Sequence, residues 1–219
     1  MKIGKIFDLS VSLKSGMPAW PSSDQIRIDP VGTVLKDGYT AESMSIPSHT
    51  GTHVDAPAHF VNEAITVDEI PLDTLIGPGY CIRPKFSGNE INAGDFAKVW
   101  SPEYDNKIIL INTGWDRKRA FSREFQYEFP GLGEDAIQFF TEHRVKVIGI
   151  DTLGIEPYSH SDFRVHKGLL ALEIPFIEDL SGLDQLEEGK EYLVAALPLK
   201  IRKGSGCMAR VVAMETGRE

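Results

Sequence analysis

The chain encodes an α/β fold organised around a mixed β-sheet, and three features carry that reading. The first half is dominated by short runs of alternating or β-branched apolar residues, the mark of strands. The second half alternates strand-like apolar runs with helical stretches, the order that lays helices against parallel strands. Finally, 219 residues with 42% hydrophobic and 25% charged content are ordinary for one domain, spanning 1–219, that buries its own core.

In chain order, Lys5–Val11 reads as a strand that ends before Gly16. Gln25–Val34 carries Ile26, Ile28 and Val31, and Thr40–Pro47 alternates around Met44 and Ile46. Val67–Leu75, broken by a proline, reads as a loop or a helical turn. Gly79–Lys85 reads as a strand launched from a Gly-Pro-Gly turn. Asn92–Trp100 reads as a helix capped by Asn92, with Phe96, Val99 and Trp100 on one face. The Ile-Ile-Leu-Ile run makes Lys107–Asn112 a buried strand. Gly133–Arg144 has the strongest helical pattern: Glu134 and Asp135 in the first turn, Ile137 and Phe140 on a stripe that Val145 continues, and His143 and Arg144 at the end. Val145–Ile150 is a second buried strand. Phe163–Leu172 is a helix that Pro175 stops, and Tyr192–Leu199 and Met208–Met214 close the chain as strands.

Several function classes are set aside by composition. A net charge of −9 argues against a nucleic-acid footprint. No apolar run approaches the roughly 20 residues of a membrane span, and the N-terminus has no apolar signal core, so a cytoplasmic protein is expected. Cys81 and Cys207 are too few for a disulfide framework or a thiolate metal site, and fit a reducing compartment.

The chemistry concentrates in Ser48–Phe60, which holds His49, His53, Asp55 and His59. Residues four apart overlie one another on a helical turn, so His49 and His53 converge if the chain coils. Residues two apart share a face only if it is extended, which applies to His53 and Asp55. Gly51 and Pro57 allow the backbone to change habit between them. Two imidazoles and a carboxylate aimed at one point suit zinc, manganese or another borderline divalent ion. The segment lacks the glutamate that an H-E-x-x-H metalloprotease signature requires after its first histidine.

His49-Thr50-Gly51-Thr52-His53-Val54-Asp55-Ala56-Pro57-Ala58-His59 resembles the H-x-G-T-H-x-D-x-P-x-H signature of the metal-dependent cyclase/hydrolase family, which includes bacterial kynurenine formamidases and isatin hydrolase. Weaker likenesses run along most of the chain, at Pro18-Ala19-Trp20-Pro21, Asn112–Trp115, Gly149–Thr152 and Ala196–Leu199. The resemblance implies a cyclase-type, swivelling β/β/α-like domain that assembles as a homodimer or homotetramer, with the early strands as an intersubunit arm. It implies a second metal segment at His166 and Glu178, the latter in Ile177-Glu178-Asp179-Leu180. Helical periodicity alone would pair His166 with Glu173, two turns on, and Glu173 stays as a lesser alternative.

By the same resemblance, one ion takes His49, His53 and Asp55, and a second takes Asp55 as a bridge with His166 and Glu178. Two Zn2+ per chain are expected, with Mn2+ as the other candidate. Paired ions of this kind activate water and polarise a carbonyl. His59 is expected to do acid/base work, the rival role being metal ligation. Trp20 and Phe60 are candidates for an aromatic substrate wall, core packing being the other reading of Phe60. Asp151 either orients a ligating histidine or caps a turn. Trp115 is expected to be structural, and His143 and His160 to be surface or helix-end residues. The implied activity is hydrolysis of a C–N amide bond in a small, aromatic substrate, with arylformamidase chemistry as the specific expectation. A lactam or lactone hydrolase, a dehydrating cyclase, and a non-catalytic ligand-binding protein are the alternatives. The chain departs from the formamidases at His166-Lys167, where they carry a His-His pair, and at Leu153-Gly154-Ile155-Glu156-Pro157. These departures bear on the substrate and leave the metal residues intact.

Overall fold

The computed structural model describes residues 2–217. Twelve strands occur among them: β1 (Lys2–Asp8), β2 (Arg27–Gly32), β3 (Ala41–Ser45), β4 (His53–Asp55), β5 (Ile76–Ile82), β6 (Glu90–Ile91), β7 (Ile108–Ile111), β8 (Gly131–Leu132), β9 (Val147–Ile150), β10 (Phe176–Glu178), β11 (Glu191–Pro198) and β12 (Gly206–Gly217). The α-helices are α1 (Val34–Asp37), α2 (Leu72–Leu75), α3 (Ala93–Ala97), α4 (Arg123–Tyr127), α5 (Asp135–Glu142) and α6 (Arg164–Ala171). The mixed sheet of the sequence reading is present, and it closes on itself. Its order is β1-β12-β11-β5-β7-β9-β10-β4, and β4 also pairs with β12, which makes a seven-stranded barrel with β1 attached outside the ring. The long β12 achieves this by dividing one edge between β4, at Gly206–Met208, and β1, at Val212–Gly217.

The chemistry of each strand explains its place. β5, β7, β9 and β10 are parallel, as expected for strands joined through helices. Apart from Glu178 at the end of β10, their runs are apolar because both faces are covered. One set of alternate residues, including Val54, Cys81, Ile108, Leu110, Val147, Ile177, Val194, Ala196 and Val211, fills the barrel. The opposite set, Tyr80, Ile82, Ile109, Ile111, Ile148, Ile150 and Phe176, packs outward against Phe96 of α3, Ala136 and Phe140 of α5, and Val165, Leu169 and Leu170 of α6.

The helices are shorter than the apolar patterns suggest, ending at Glu142 rather than Arg144 and at Ala171 rather than Leu172. Asn92 does occupy the position before α3, and its backbone N–H donates to Asp95 Oδ2 at 3.3 Å. The Gly-Pro-Gly stretch is a correction. It forms part of β5, where Gly77, Pro78 and Gly79 lie opposite Val194, Leu193 and Tyr192 of β11. Extended neighbours on a long strand overrode the local turn tendency. β2 and β3 form a separate hairpin that leaves Val31, Val34, Leu35, Tyr39 and Met44 exposed.

Candidate metal centre and active site

β4 and β10 build one side of the site. Their antiparallel register sets His53 opposite Glu178 and Val54 opposite Ile177. Side chains alternate across a strand, so Val54 and Ile177 enter the barrel while His53, Asp55 and Glu178 share the outer face. The extended spacing of His53 and Asp55 is therefore the one the chain uses. His53 Nε2 lies 3.2 Å from Asp55 Oδ1 and 3.5 Å from Glu178 Oε2. His49 joins from the preceding coil, where Gly51 has φ +64° and a side chain added there would strike Leu13. His49 Nδ1 is 2.6 Å from Asp55 Oδ1. His166 arrives from α6, with Nε2 3.3 Å from Glu178 Oε1.

All five expected ligating residues thus meet. One potential ligand atom from each of His53, Asp55 and Glu178 lies within 4.8 Å of the others, and the same holds for His49, Asp55 and His59. This grouping differs from the one expected, in that His53 turns toward Glu178 and His59 stands with His49. Glu173 is exposed at φ 56°, past the end of α6, and takes no part.

The residues fit a divalent cation on the chemistry of their outer contacts. The far nitrogen of each candidate histidine is already engaged: His53 Nδ1 by the Gly51 carbonyl at 2.7 Å, His49 Nε2 by Ser205 Oγ at 2.8 Å, and His166 Nδ1 by Glu156 Oε1 at 2.5 Å. Such contacts fix the tautomer and leave the other nitrogen free for a metal. The electrostatics agree. Burial opposes charge on His53, yet the carboxylates of Asp55 and Glu178 lift it to about 9. Burial likewise opposes charge on His166, and Glu156 and Glu178 raise it to about 10. Burial works against ionised Asp55 too, but His49 and His53 hold its carboxyl well below the usual range. The carboxylates thus call for positive charge in a buried place, and protons supply it in the absence of a cation.

His59 is different. Its ring stacks on His49, with centroids 3.8 Å apart and 19° between planes, and meets Phe60 edge-on. Its Nε2 is 3.6 Å from Asp55 Oδ2, and no hydrogen bond engages its ring among the described residues. Burial, with the neighbouring His49, His166 and His53, outweighs Asp55 and takes it down to about 4.

These groups line a cavity of about 310 Å³. Trp20 and Phe60 both line it and are half-buried, and Phe60 also packs against the core cluster outside the barrel. Phe163, read in the sequence only as the start of a helix, completes the wall, with ring centroids 5.2 Å from Phe60 and 6.2 Å from Trp20.

Of the two roles open to Asp151 the turn is the one found, the reading of His160 needs correction, and Glu156 is a residue the sequence reading missed. Asp151 orients no histidine; its carboxylate accepts from the Thr113 and Gly114 backbone N–H groups and the Thr113 hydroxyl, so it ties down a turn. His160 is buried rather than superficial, between Glu156 and Glu90. Glu156, noted only as a departure from the formamidases, contacts His166 directly. The available signal was a lone carboxylate inside the apolar run Leu153-Gly154-Ile155-Glu156-Pro157. Trp115 is structural, its Nε1 donating to the Phe125 carbonyl at 3.2 Å.

A model described as a putative cyclase matches residues 7–157, more than half of the chain. This protein belongs to the cyclase family. It is 30% identical to cyclase-like protein 2 of Arabidopsis thaliana, over 97% of this chain and 80% of that protein. It is 25% identical to a kynurenine formamidase of Erythrobacter litoralis, over 96% and 94% of the two chains. Among solved structures, isatin hydrolase A from Labrenzia aggregata bound to benzyl benzoate superposes with a TM-score of 0.85 at 26% identity, covering 97% of this chain and 94% of the other. A potential metal-dependent hydrolase with cyclase activity gives 0.82 at 28% identity, over 98% and 99%.

Proposed function

We propose that this cyclase-family chain is a metal-dependent hydrolase of a C–N amide bond in a small aromatic substrate, with arylformamidase chemistry as the specific reaction. That reaction takes N-formylkynurenine to kynurenine and formate, a step of tryptophan catabolism. One observation carries the reading: imidazoles and carboxylates from two distant segments, around residues 49–55 and 166–178, converge on a cavity that Trp20, Phe60 and Phe163 also line. Relatives named as kynurenine formamidases add support. His49, His53, Asp55, His166 and Glu178 would hold the metal, with two Zn2+ as our expectation and Mn2+ as the other N/O-compatible ion. When bound, such ions supply Lewis acidity toward a carbonyl and lower the pKa of water.

The chain's own groups account for the rest. Asp55 and Glu178 offset cationic charge, and Trp20, Phe60 and Phe163 stack against the substrate ring. His59, free of a fixed hydrogen-bond partner and turned toward Asp55, is placed to carry a proton to the departing nitrogen. The exposed apolar residues of the β2–β3 arm support a homodimer as the working assembly. No described helix is long and apolar enough to cross a membrane, and we assign the protein to the cytoplasm.

A second reading, opening of a neutral aryl lactam or lactone, is favoured by one feature. Among the described residues lining the cavity there is no lysine or arginine to receive the carboxylate of an amino-acid substrate. Assays of N-formylkynurenine, formanilide, isatin and an aryl lactone with added zinc or manganese separate the two. Chelation should abolish turnover, and the metal should restore it. Metal uptake without turnover of any substrate would leave a ligand-binding protein.

A further inference from the structure

The contact between Glu156 and His166 does not end at Glu156. All four hydrogen-bonding positions of that buried carboxylate are taken. Oε1 accepts from the Nδ1 of His166 at 2.5 Å and from its backbone N–H at 3.0 Å. Oε2 accepts from the Val165 backbone N–H at 3.1 Å and faces His160 Nδ1 at 2.9 Å. The opposite nitrogen of His160, Nε2, faces Glu90 Oε1, also at 2.9 Å. Glu90 lies on β6 and has 46% of its side chain exposed. A series of four side chains therefore runs from the surface to the candidate metal centre: Glu90, His160, Glu156, His166. With a carboxylate at each of its nitrogens, the His160 ring bridges Glu156 and Glu90 and fixes the distance between them.

The series also fixes a helix. α6 begins after Phe163, which has φ 53° and makes no side-chain cap. The backbone N–H groups of Val165 and His166 belong to the first turn, where a helix leaves its donors unpaired. Glu156 satisfies both from outside the helix, so one carboxylate sets the position of α6 and the ring orientation of His166 together. The ribbon bearing Glu90 is held tightly against this loop. Leu132 N–H donates to the Ile155 carbonyl at 2.8 Å, and a Cβ on Gly131, the partner of Glu90 in the β6–β8 pair, would lie 2.5 Å from the Glu156 backbone.

We propose that Glu90 and His160 are positioning residues for His166. By bracing Glu156, they hold His166 Nε2 beside Glu178 in the orientation a divalent cation requires. The inference rests on the metal-centre reading above, but it does not depend on which substrate is cleaved. Contacts outside the ligands of metal sites are typically worth about 10–100-fold in affinity.

The test measures zinc binding to the full chain by competition with a chromophoric chelator, with thermal unfolding of the metal-free protein alongside. His160→Leu should weaken zinc at least about tenfold while the fold persists. His160→Gln, which can still donate to Glu156, should recover most of that loss, and Glu90→Gln should weaken zinc by a smaller factor. If His160→Leu does not fold, Glu90→Gln carries the test, because it changes only an exposed carboxylate. Zinc affinity within twofold of the parent in both variants overturns the proposal, and a lowered Tm with unchanged affinity does so too, by reducing the series to a helix cap. A parent chain that takes up no zinc also overturns it. A parent that binds zinc in a His160-dependent way but cleaves no amide leaves this inference standing and defeats the hydrolase reading instead.

Discussion

Replacing His59 by asparagine separates the two roles open to it. The ring has 28% of its side-chain surface exposed and is held by its stack on His49 and its edge contact with Phe60. Losing those contacts costs about 1 kcal/mol, which lowers Tm by roughly 2–4 °C in a chain of this size. His59→Asn should therefore fold. Its Nε2 is 3.6 Å from Asp55 Oδ2, beyond hydrogen-bond reach, so removing the ring leaves no carboxylate stripped of a bonded partner. His49 and His53 still contact Asp55, with Glu178 beside His53, and zinc content per chain should be unchanged. If His59 delivers a proton to the departing amine, the rate falls by the usual worth of general acid catalysis, about 10²–10⁴-fold, or about 3–5 kcal/mol of barrier. That loss should appear with formanilide, whose nitrogen cannot leave unprotonated. It should largely vanish with phenyl formate, whose phenolate needs no proton to leave. The assay is kcat/KM for both substrates at matched zinc occupancy. Equal losses for the two, accompanied by loss of zinc, would make His59 a ligand and refute the acid/base role.

Ser205→Ala removes the acceptor that engages His49 Nε2 at 2.8 Å, and zinc affinity should fall about tenfold, read by chelator competition. Phe163→Ala should raise KM for aryl substrates about 3–10-fold, the worth of one aromatic contact of 0.5–1.5 kcal/mol, with a smaller change in kcat. In the metal-free protein, stability should peak near pH 6.5 and fall on both sides. His59 is depressed to about 4 in the fold, so its contribution is present above its ordinary value near 6.5 and is lost as pH falls toward 4. That is a loss of roughly 3 kcal/mol, which His59→Asn should remove from the acid limb of a Tm–pH series. His53 and His166, raised to about 9 and 10, stabilise the fold below about 6.5 and lose that contribution as pH climbs through those values. Saturating zinc should flatten the alkaline limb, because it takes the place of the protons.

What could be read from the sequence, and what could not, follows from the range of the interactions. The pairing of His53 with Asp55 was legible because strand alternation is a local rule, and the structure places both on one face of β4. The isoleucine-rich strands were legible for the same reason. Glu178 needed the family resemblance. The periodicity that would have chosen Glu173 ends where the helix does, and Glu173 adopts a left-handed conformation there. His160 was misread because its carboxylate at the surface, Glu90, is seventy residues away and no local pattern joins them. Barrel closure was invisible because it depends on β4, three residues long, lying between β10 and β12. The Gly-Pro-Gly stretch misled because its strand partners are equally remote.

Closure and assembly of the site are one event. β4 has no stability of its own: three residues cannot hold a ladder unless both edges are paired and the apolar face is buried. Its partners supply this at once. Glu178 of β10 lies opposite His53, Met208 of β12 lies opposite it on the other side, and Val54 fills the barrel between them. Docking that short strand therefore places the His53 imidazole beside the Glu178 carboxylate, a contact spanning 125 residues that no fragment of the chain can make. Burying both groups costs free energy unless opposite charge meets them there, whether from protons on the histidines or from a cation. A bound cation consequently acts on the seam of the barrel as well as on the substrate, since the groups that would hold it are the ones that face each other across the closing ladder.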